Sequence, residues 1–293
     1  MATDRSQRLS ALQNGAIGSL AGMIEVLIQQ PTVAMKNAIQ QHRPITWTVP
    51  ALYRGVGVCL ASIAPVSAVQ FAVNGKALTW LHGQPSGASA PVPDHLKIAA
   101  GAFAGSCSSL LSSPAELVMT LQQNTGKSFA ATVRDVVAQH GAARLFRGLE
   151  ATMLREAVWC AGYLALGPVI TRRLHDVSPS VFGASAEEAT LSQRASASAV
   201  GSVLAGLVTV YATQPLDTVK TVMQGEALRV QGRDATSAFG TALRMFRSAG
   251  GSLQPFYRGS VPRGARLVGA VFILGKARDL LEETFEDHAI LGS

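Results

Sequence analysis

The sequence predicts an all-α membrane protein with six transmembrane helices, built as three tandem helix pairs. Three observations predict it: a Pro-centred pattern occurs three times, charged residues are few, and six stretches are long and apolar enough to cross a bilayer. The 293 residues are 48% hydrophobic and only 15% charged, whereas soluble domains carry roughly 25% charged residues. Mean hydropathy is +0.25. We therefore expect one membrane-embedded domain over residues 1–293.

Each of the six predicted helices holds about 20 or more mostly apolar residues, the span that a bilayer requires at 1.5 Å rise per residue. They cover residues 10–40, 55–82, 95–123, 149–174, 193–224 and 260–283. Two shorter stretches, 128–140 and 235–248, have an amphipathic pattern and predict short helices that lie on a surface.

Two segments rich in Gly, Pro, Ser and Ala, 83–93 and 178–190, predict the boundaries between units. The three units are then residues 9–90, 91–190 and 191–290. We expect each unit to contribute one helix pair to a common structure.

A proline inside each odd-numbered helix is the centre of the repeated pattern. The three prolines are Pro31, Pro114 and Pro215. In each copy a glycine lies nine residues before the proline and a glutamine nine residues after it; these are Gly22 and Gln40, Gly105 and Gln123, and Gly206 and Gln224. An aromatic-Arg-Gly triplet follows each copy, namely Tyr53-Arg54-Gly55, Phe146-Arg147-Gly148 and Tyr257-Arg258-Gly259. Features in a fixed order, three times over, indicate a repeat architecture.

These residue types predict how the helices pack. A proline removes one backbone hydrogen bond and bends a helix, so three equivalent prolines would bring three helix ends to a common axis. Glycines paired with small residues four positions earlier let membrane helices approach closely.

Charge and cysteine usage exclude several classes of function. The net charge is +7, but no basic run is interleaved with aromatic residues, so nucleic acid is not expected as a partner. Anionic lipid or an anionic substrate fits better. Cys59, Cys107 and Cys160 show no CxxC spacing and predict neither a disulfide nor a metal site. No Walker loop or GxSxG motif is present, so we expect neither an enzyme nor a cofactor.

The N-terminal residues 1–14 are polar and lack the apolar core of a secretory signal. They are also short for a cleavable organelle presequence. We therefore expect targeting information inside the mature chain.

These motifs resemble those of the mitochondrial carrier family, whose repeats carry Pro-x-Asp/Glu-x-x-Lys/Arg followed by an aromatic-Lys/Arg-Gly triplet. The resemblance covers nearly the whole chain. It implies a multi-pass protein of the mitochondrial inner membrane, with six helices in threefold pseudosymmetry around a central substrate site. It also implies that both termini face the intermembrane space and the short surface helices the matrix.

In the family, the acid of each Pro motif pairs with the base of the next one, and the pairs close the matrix side. The resemblance implies pairs of Glu116 with Lys220 and of Asp217 with Lys36. The third pair would join positions 33 and 119, which hold Val33 and Met119. Losing one partner of a buried pair costs roughly 3–5 kcal/mol, whereas replacing both can be neutral. We expect a matrix gate of two ion pairs and one apolar contact; coincident drift at the two positions is the alternative.

Two further expectations concern the gates. Three glutamines occupy the positions that brace the matrix pairs in the family: Gln40, Gln123 and Gln224. On the cytosolic side, the positions that are acidic in the family hold glycines, namely Gly75, Gly167 and Gly275. We expect closure there to rest on the packing of small residues.

Ionisable groups in the middle of membrane helices are candidates for function because isolated ones are costly. They are Glu25, Arg155, Glu156, Arg263 and Arg266. By resemblance, the substrate contacts on the even helices are Gln70 with Asn74, Arg155 with Glu156 or Leu154, and Arg263. Guanidinium groups bind carboxylate or phosphate in a bidentate manner.

Glu25 has several possible roles: it could hold an amino group, carry a proton, or pair with Arg155 or Arg266. Arg155 followed by Glu156 also resembles the amino-acid carriers. Both interpretations stay open on the sequence.

The triplets resemble the family's cardiolipin sites, which would here comprise Arg54 with Gly55, Arg147 with Gly148, and Arg258 with Gly259. Backbone N–H groups at helix starts bind anions, although the same glycines could serve only as helix caps. A monomer is expected.

The expected function is exchange of a small anionic metabolite, first of all a carboxylate, by alternating access across the inner membrane. An amino-acid carrier is one alternative. A carrier-like scaffold or regulatory protein that no longer transports is the other, since neither gate keeps the full set of pairs.

Overall fold

The computed structural model describes residues 11–82, 92–185, 188–229 and 237–291, and these ranges contain helices and no strand. The helices are α1 (Ala11–Gln40), α2 (Val49–Leu52), α3 (Val56–His82), α4 (Asp94–Thr125), α5 (Phe129–His140), α6 (Leu149–Val177), α7 (Pro179–Phe182), α8 (Leu191–Gly225), α9 (Ala238–Ser248) and α10 (Ser260–Leu291). The predicted all-α class is confirmed. The six long helices α1, α3, α4, α6, α8 and α10 begin and end within three residues of their predicted bounds, except that α10 extends eight residues further.

The short surface helices α5 and α9 occupy the stretches that the amphipathic pattern indicates. The start of the second predicted stretch, residues 235–236, and most of the predicted boundary segment, residues 83–91, lie outside the described residues. Sequence reasoning did not find α2, α7 or the two 3₁₀ turns at Ala142–Phe146 and Gln254–Tyr257.

Local sequence signals explain where several helices begin and end. Thr190 and Gln193 form a capping box at the start of α8, each side chain bonding the backbone of the other residue. Ser128 caps α5 by accepting a hydrogen bond from the N–H of Ala131. At its other end, α4 stops at Gly126, which takes the left-handed conformation with φ 73°.

The six long helices form a closed ring in chain order. Each packs against the next, from α1 to α3, α4, α6, α8 and α10, and α10 returns to α1. Helices α1 and α4, which carry the first two Pro motifs, also contact α8, which carries the third, across the ring. The ring encloses a cavity of about 420 Å³.

The glycines that precede the prolines lie where the two helices of one repeat meet. A Cβ on Gly105 would come within 2.9 Å of Cys160 Sγ on α6, and one on Gly206 within 2.7 Å of a Leu267 methyl on α10. Gly22 faces Ile63 on α3 at an ordinary 3.5 Å. These contacts agree with the prediction that small residues permit close helix packing. Gly18 is different, since no atom lies within 4 Å of its Cβ position.

Polar residues are buried in this ring, and large apolar residues cover its outside. The buried polar side chains include Gln29, Gln30, Asn37, Gln40, Gln214 and Gln224. The exposed apolar side chains on the long helices include Ile28, Phe71, Trp80, Phe103, Val208 and Phe272. A water-soluble protein rarely leaves so much apolar surface exposed. Lipid around the ring and polar groups lining a cavity explain the arrangement.

Two segments of the described chain meet the length and composition required to cross a membrane, Val49–Leu81 and Leu191–Gly225. The sequence analysis predicted six apolar spans, and two of the six long helices meet this hydropathy criterion. The other four long helices also carry polar and charged residues along their length, and these lower their mean hydropathy.

Candidate functional site

The charged residues of the three repeats meet at the cavity. Its charged lining consists of Glu25, Lys36, Glu116, Arg155, Asp217, Lys220, Arg263 and Arg266. Helices α1, α4 and α8 each contain a proline, and the acid and base positions of the Pro motif follow it within the same helix. The three Pro motifs therefore lie together at one end of the cavity, here called the Pro-motif end.

Two ion pairs join neighbouring repeats at the Pro-motif end. Lys220 Nζ lies 2.9 Å from Glu116 Oε2, and Lys36 Nζ lies 2.9 Å from Asp217 Oδ2. The pairs are linked, because Lys220 Nζ is also 3.7 Å from Asp217 Oδ1. These are the two pairs that the family pattern implies, and they tie α4 to α8 and α8 to α1.

Arg155 and Arg263 lie within the same network. Arg155 Nη2 donates to Glu156 at 2.6 Å and to Glu116 at 3.4 Å, and its Nε lies 3.8 Å from Asp217. Arg263 donates to the side chain of Thr213 and to two further acceptors on α8, and its Nε lies 4.0 Å from Asp217. Both predicted substrate arginines thus have protein acceptors in this conformation, as a buried guanidinium requires.

The third junction, between α1 and α4, has no ion pair. Val33 and Met119 both line the cavity there. Met119 is 6% exposed, and its Sδ lies 3.0 Å from Cys59 Sγ and 4.0 Å from Gln30 Nε2. The thioether thus occupies the position of a base and packs against α3. The Cys59 contact was not predicted, and no sequence signal pointed to it.

The three glutamines behave differently from one another. Gln40 Nε2 donates to Asp217 Oδ2 at 3.0 Å and braces that pair. Gln123 accepts from Asn37 at 2.8 Å, because its own junction has no ion pair to brace. Gln224 reaches the backbone carbonyl of Ser113 at 3.4 Å. The predicted brace contact is present for Gln40 and is wrong for the other two.

The glycine of each triplet packs against the base position of the neighbouring Pro motif. Gly55, Gly148 and Gly259 all have positive φ, between 76° and 84°. A Cβ on Gly55 would lie 2.7 Å from Met119 Cγ, and one on Gly259 would lie 3.3 Å from the carbonyl oxygen of Lys36. At Gly148 the corresponding distance to the carbonyl of Lys220 is 3.7 Å. The same contact thus occurs at all three junctions.

The triplet arginines contact the C-terminal ends of the Pro-motif helices α1, α4 and α8. Arg147 Nε donates to the Met223 carbonyl at 2.7 Å, near the end of α8. Burial lowers the pKa of Arg147 to about 10. The Arg54 guanidinium lies against Gly126 at the end of α4, and Arg258 bonds His42 just after α1. Cations stabilise the C-terminal ends of helices. A contact to lipid would compete with these positions.

Helix α3 contributes no charged residue to the cavity. Its lining residues are Cys59, Ser62, Ile63, Val66 and Ser67. Gln70, a predicted substrate contact, donates instead to Ser108 Oγ on α4 at 3.1 Å. Asn74 is not among the lining residues. The predicted substrate contacts of Gln70 and Asn74 stay predictions; neither residue lines this cavity, which lies closer to the Pro motifs.

Glu25 pairs with Arg266 on the cavity wall. Arg266 bonds both carboxylate oxygens, at 3.2 and 3.3 Å, and Gln29 donates to Oε1 at 2.9 Å. Of the roles that the sequence left open for Glu25, the structure contains the pair with Arg266. The Arg266 side chain remains 40% exposed and faces the cavity.

The opposite end of the ring is loosely packed. No atom lies within 4 Å of the Cβ positions of Gly75, Gly167 and Gly275. Each of these glycines faces open space, so closure there by packed glycines is absent from this conformation. The cavity is thus blocked at the Pro-motif end and accessible from the other.

A ring of helices around a charged cavity, closed at one end only and apolar outside, defines a membrane solute carrier. The sequence model of the mitochondrial carrier protein family matches residues 92–177 and 192–288. The chain belongs to the mitochondrial carrier family. It is accordingly a mitochondrial solute transporter and not an enzyme.

Individual relatives agree with this membership. An uncharacterized mitochondrial carrier of Schizosaccharomyces pombe is 29% identical over 90% of this chain and 91% of its own length. The mitochondrial citrate transporter B of Aspergillus niger is 30% identical, with coverage of 87% and 88%. A mitochondrial glycine transporter of Rattus norvegicus is 27% identical, with coverage of 85% and 77%. Their names include both a carboxylate and an amino acid.

Proposed function

We propose that this protein exchanges a small anionic metabolite, a carboxylate, across the mitochondrial inner membrane by alternating access. The observation that carries the proposal is the half-closed cavity. Five basic side chains line it, ion pairs block the Pro-motif end, and the opposite end is open. The structure then corresponds to the state that faces the cytosol, with the matrix gate shut.

The proposed architecture is six membrane-spanning helices in three repeats of residues 9–90, 91–190 and 191–290, related by threefold pseudosymmetry. The equivalent glycine contacts at the three junctions support it. The two family matches begin at residues 92 and 192, next to the proposed second and third unit boundaries.

Opening of the matrix gate requires the pairs of Glu116 with Lys220 and of Asp217 with Lys36 to separate. A bound anion compensates for this loss by interacting with Arg155, Arg263 and Arg266. A substrate drives the change only if it binds the rearranged state differently from the starting one. The arginines supply that difference, because they leave their present acceptors as the gate opens.

Two features of the proposal concern lipid and assembly. Cardiolipin phosphate would bind the backbone N–H groups at the starts of the helices that follow Gly55, Gly148 and Gly259. The arginines beside them are engaged with helix ends, so the backbone is the principal contact. The carrier would act as a monomer, since one chain encloses the whole cavity.

An amino-acid carrier is the second candidate. The pair of Glu25 with Arg266 on the cavity wall favours it, because a carboxylate and a guanidinium could together hold a zwitterion. The rat glycine transporter among the relatives points the same way.

Uptake into liposomes containing the purified protein tests the function. Labelled carboxylates, amino acids and nucleotides are offered to vesicles loaded with the same compounds. We expect exchange of a carboxylate, and its loss in Arg263→Ala with folding retained. Arg173→Ala is the matched control, because Arg173 is 77% exposed and pairs only at 3.8 Å with Asp176.

Several results would contradict the proposal. Exchange of amino acids alone would favour the second candidate. No exchange of any compound by a folded protein would favour a scaffold that has lost transport. Full activity in Arg263→Ala would reject the assignment of that site.

A further inference from the structure

We propose that the substrate is an amphipathic monocarboxylate, with one net negative charge and a hydrocarbon part that lies against α3. This rests on the proposed function and narrows the substrate class of the same cavity. Two independent observations support it: the net charge of the buried network and the uneven distribution of polarity around the cavity wall.

The first observation is the charge balance. The set of ionisable groups that line the cavity or pair with a lining residue contains five bases and four acids, with Glu156 included through its pair with Arg155. The bases are Lys36, Arg155, Lys220, Arg263 and Arg266, and the acids are Glu25, Glu116, Glu156 and Asp217. Its formal net charge is therefore +1. A single carboxylate neutralises this charge, whereas a tricarboxylate would leave two negative charges unmatched in a site of low dielectric.

The second observation is the apolar wall. Helix α3 presents Cys59, Ile63 and Val66 to the cavity, at the spacing that places residues on one face of a helix. Val26 and Val33 on α1 and Met119 on α4 are further apolar lining residues, from the two helices that pack against α3. Only Ser62 and Ser67 on α3 add hydroxyl groups to it.

None of the charged lining residues comes from α3. Arg155 is on α6, Lys220 and Asp217 are on α8, and Arg263 and Arg266 are on α10. Glu116 on α4 forms an ion pair with Lys220 at 2.9 Å. Glu25 on α1 forms one with Arg266 at 3.2 Å. Both thus face the charged side.

A second carboxylate on the substrate would have to lie on that apolar wall. Gln70, which could have offered a hydrogen bond from α3, is engaged with Ser108 at 3.1 Å. The Ser62 hydroxyl already donates to the Cys59 carbonyl at 2.8 Å. A carboxylate there would lose water and find the Ser67 hydroxyl but no cation on α3, which is costly. A hydrocarbon chain would gain about 25 cal/mol for each Å² removed from water.

A thermal-shift series on the detergent-purified full-length protein tests the inference, because bound ligand raises the unfolding temperature. The probes are butanoate, pentanoate and hexanoate, with glutarate and adipate as partners of matched chain length. We expect apparent affinity to rise roughly fourfold per added methylene. Adipate, which differs from hexanoate by its second carboxylate, should bind at least tenfold more weakly.

A variant localises the effect to the wall. Val66→Thr keeps the volume and introduces a hydroxyl, so it should weaken hexanoate several-fold and leave acetate unchanged. Val208→Thr is the matched control, since Val208 is 54% exposed on the outer face of α8. Equal effects of the two variants would show that hexanoate partitions into the detergent shell or the outer surface, and would overturn the inference.

The outcomes separate the inference from the proposed function. Tighter binding and faster exchange of adipate or citrate than of hexanoate would overturn the inference while leaving a carboxylate carrier. Exchange confined to amino acids would overturn the substrate class and leave a carrier. Absence of exchange for every compound in the liposome panel would remove the proposed function, and the inference with it.

Discussion

The three junctions at the Pro-motif end have the same backbone arrangement but different side-chain chemistry. At two of them an acid and a base meet at 2.9 Å. At the third, Val33 and Met119 line the cavity and Met119 packs against Cys59 at 3.0 Å. In all three, the triplet glycine packs against the base position.

The difference shows which parts of such a gate can vary. Close approach of backbones is kept everywhere, because it positions the helices. The ion pair can be replaced, provided both partners change together. The apolar junction then leaves an apolar wall beside a charged one, and the cavity becomes two-sided.

Of the variants that test this comparison, one that removes the Asp217 carboxylate should lose the most stability. Its carboxylate lies within 4.0 Å of a basic nitrogen in Lys36, Lys220, Arg155 and Arg263. Asp217→Asn leaves these cations without their common partner and should cost about 3–5 kcal/mol. In a chain of this size that corresponds to roughly 5–8 °C in unfolding temperature, measured by fluorescence in detergent.

The exposed pair of Asp94 with Lys97 provides the control for this measurement. Its side chains are 76% and 50% exposed, so Asp94→Asn should change stability by less than about 1 kcal/mol. Similar losses in the two variants would show that the Asp217 network adds nothing beyond a surface pair.

A smaller loss of stability is expected when a side chain is added to Gly55 at the apolar junction. Gly55 has φ 80°, and an added Cβ would lie 2.7 Å from Met119. Gly55→Ala should destabilise the protein by about 1–3 kcal/mol through overpacking and backbone strain. Gly57→Ala is the control, since nothing lies within 4 Å of that Cβ position. It should be neutral or stabilising, and equal losses would refute the close contact.

The smallest effect concerns His42, which follows α1 and accepts a hydrogen bond from Arg258. Burial, and then the charge of Arg258, lower the pKa of His42 below 6.5. The unfolded chain therefore binds the proton more readily, and this contribution to stability is lost as pH falls below about 6.5. Between pH 8 and 5.5 the wild type should lose more unfolding temperature than His42→Gln. Parallel profiles would show that the contact has no effect.

Much of this architecture could be predicted from the sequence because it depends on repetition. Pro31, Pro114 and Pro215 fix the register of three helices, and the acid and base positions follow at constant spacing. The pairs of Glu116 with Lys220 and of Asp217 with Lys36 then need only the correct order of repeats around the ring.

The details inside the cavity could not be predicted in the same way. Helix α3 is only weakly amphipathic, so its sequence does not reveal which face meets the cavity. Arg155 has a long side chain that reaches from α6 to Glu116 and Asp217, and spacing along one helix does not reveal such a contact. The partner of Met119, Cys59, belongs to neither motif.

A double-mutant cycle at positions 33 and 119 tests the central claim most directly, namely that the apolar junction is the third member of one gate. Val33→Glu and Met119→Lys are made singly and together, and unfolding temperatures are measured. As a control, Val26→Glu replaces Val33→Glu, because Val26 lies two turns along α1 and also lines the cavity. We predict that each single change destabilises, and that the 33/119 double variant regains at least about 1 kcal/mol relative to the sum, with no regain for 26/119. Additive losses at 33 and 119 would contradict the claim.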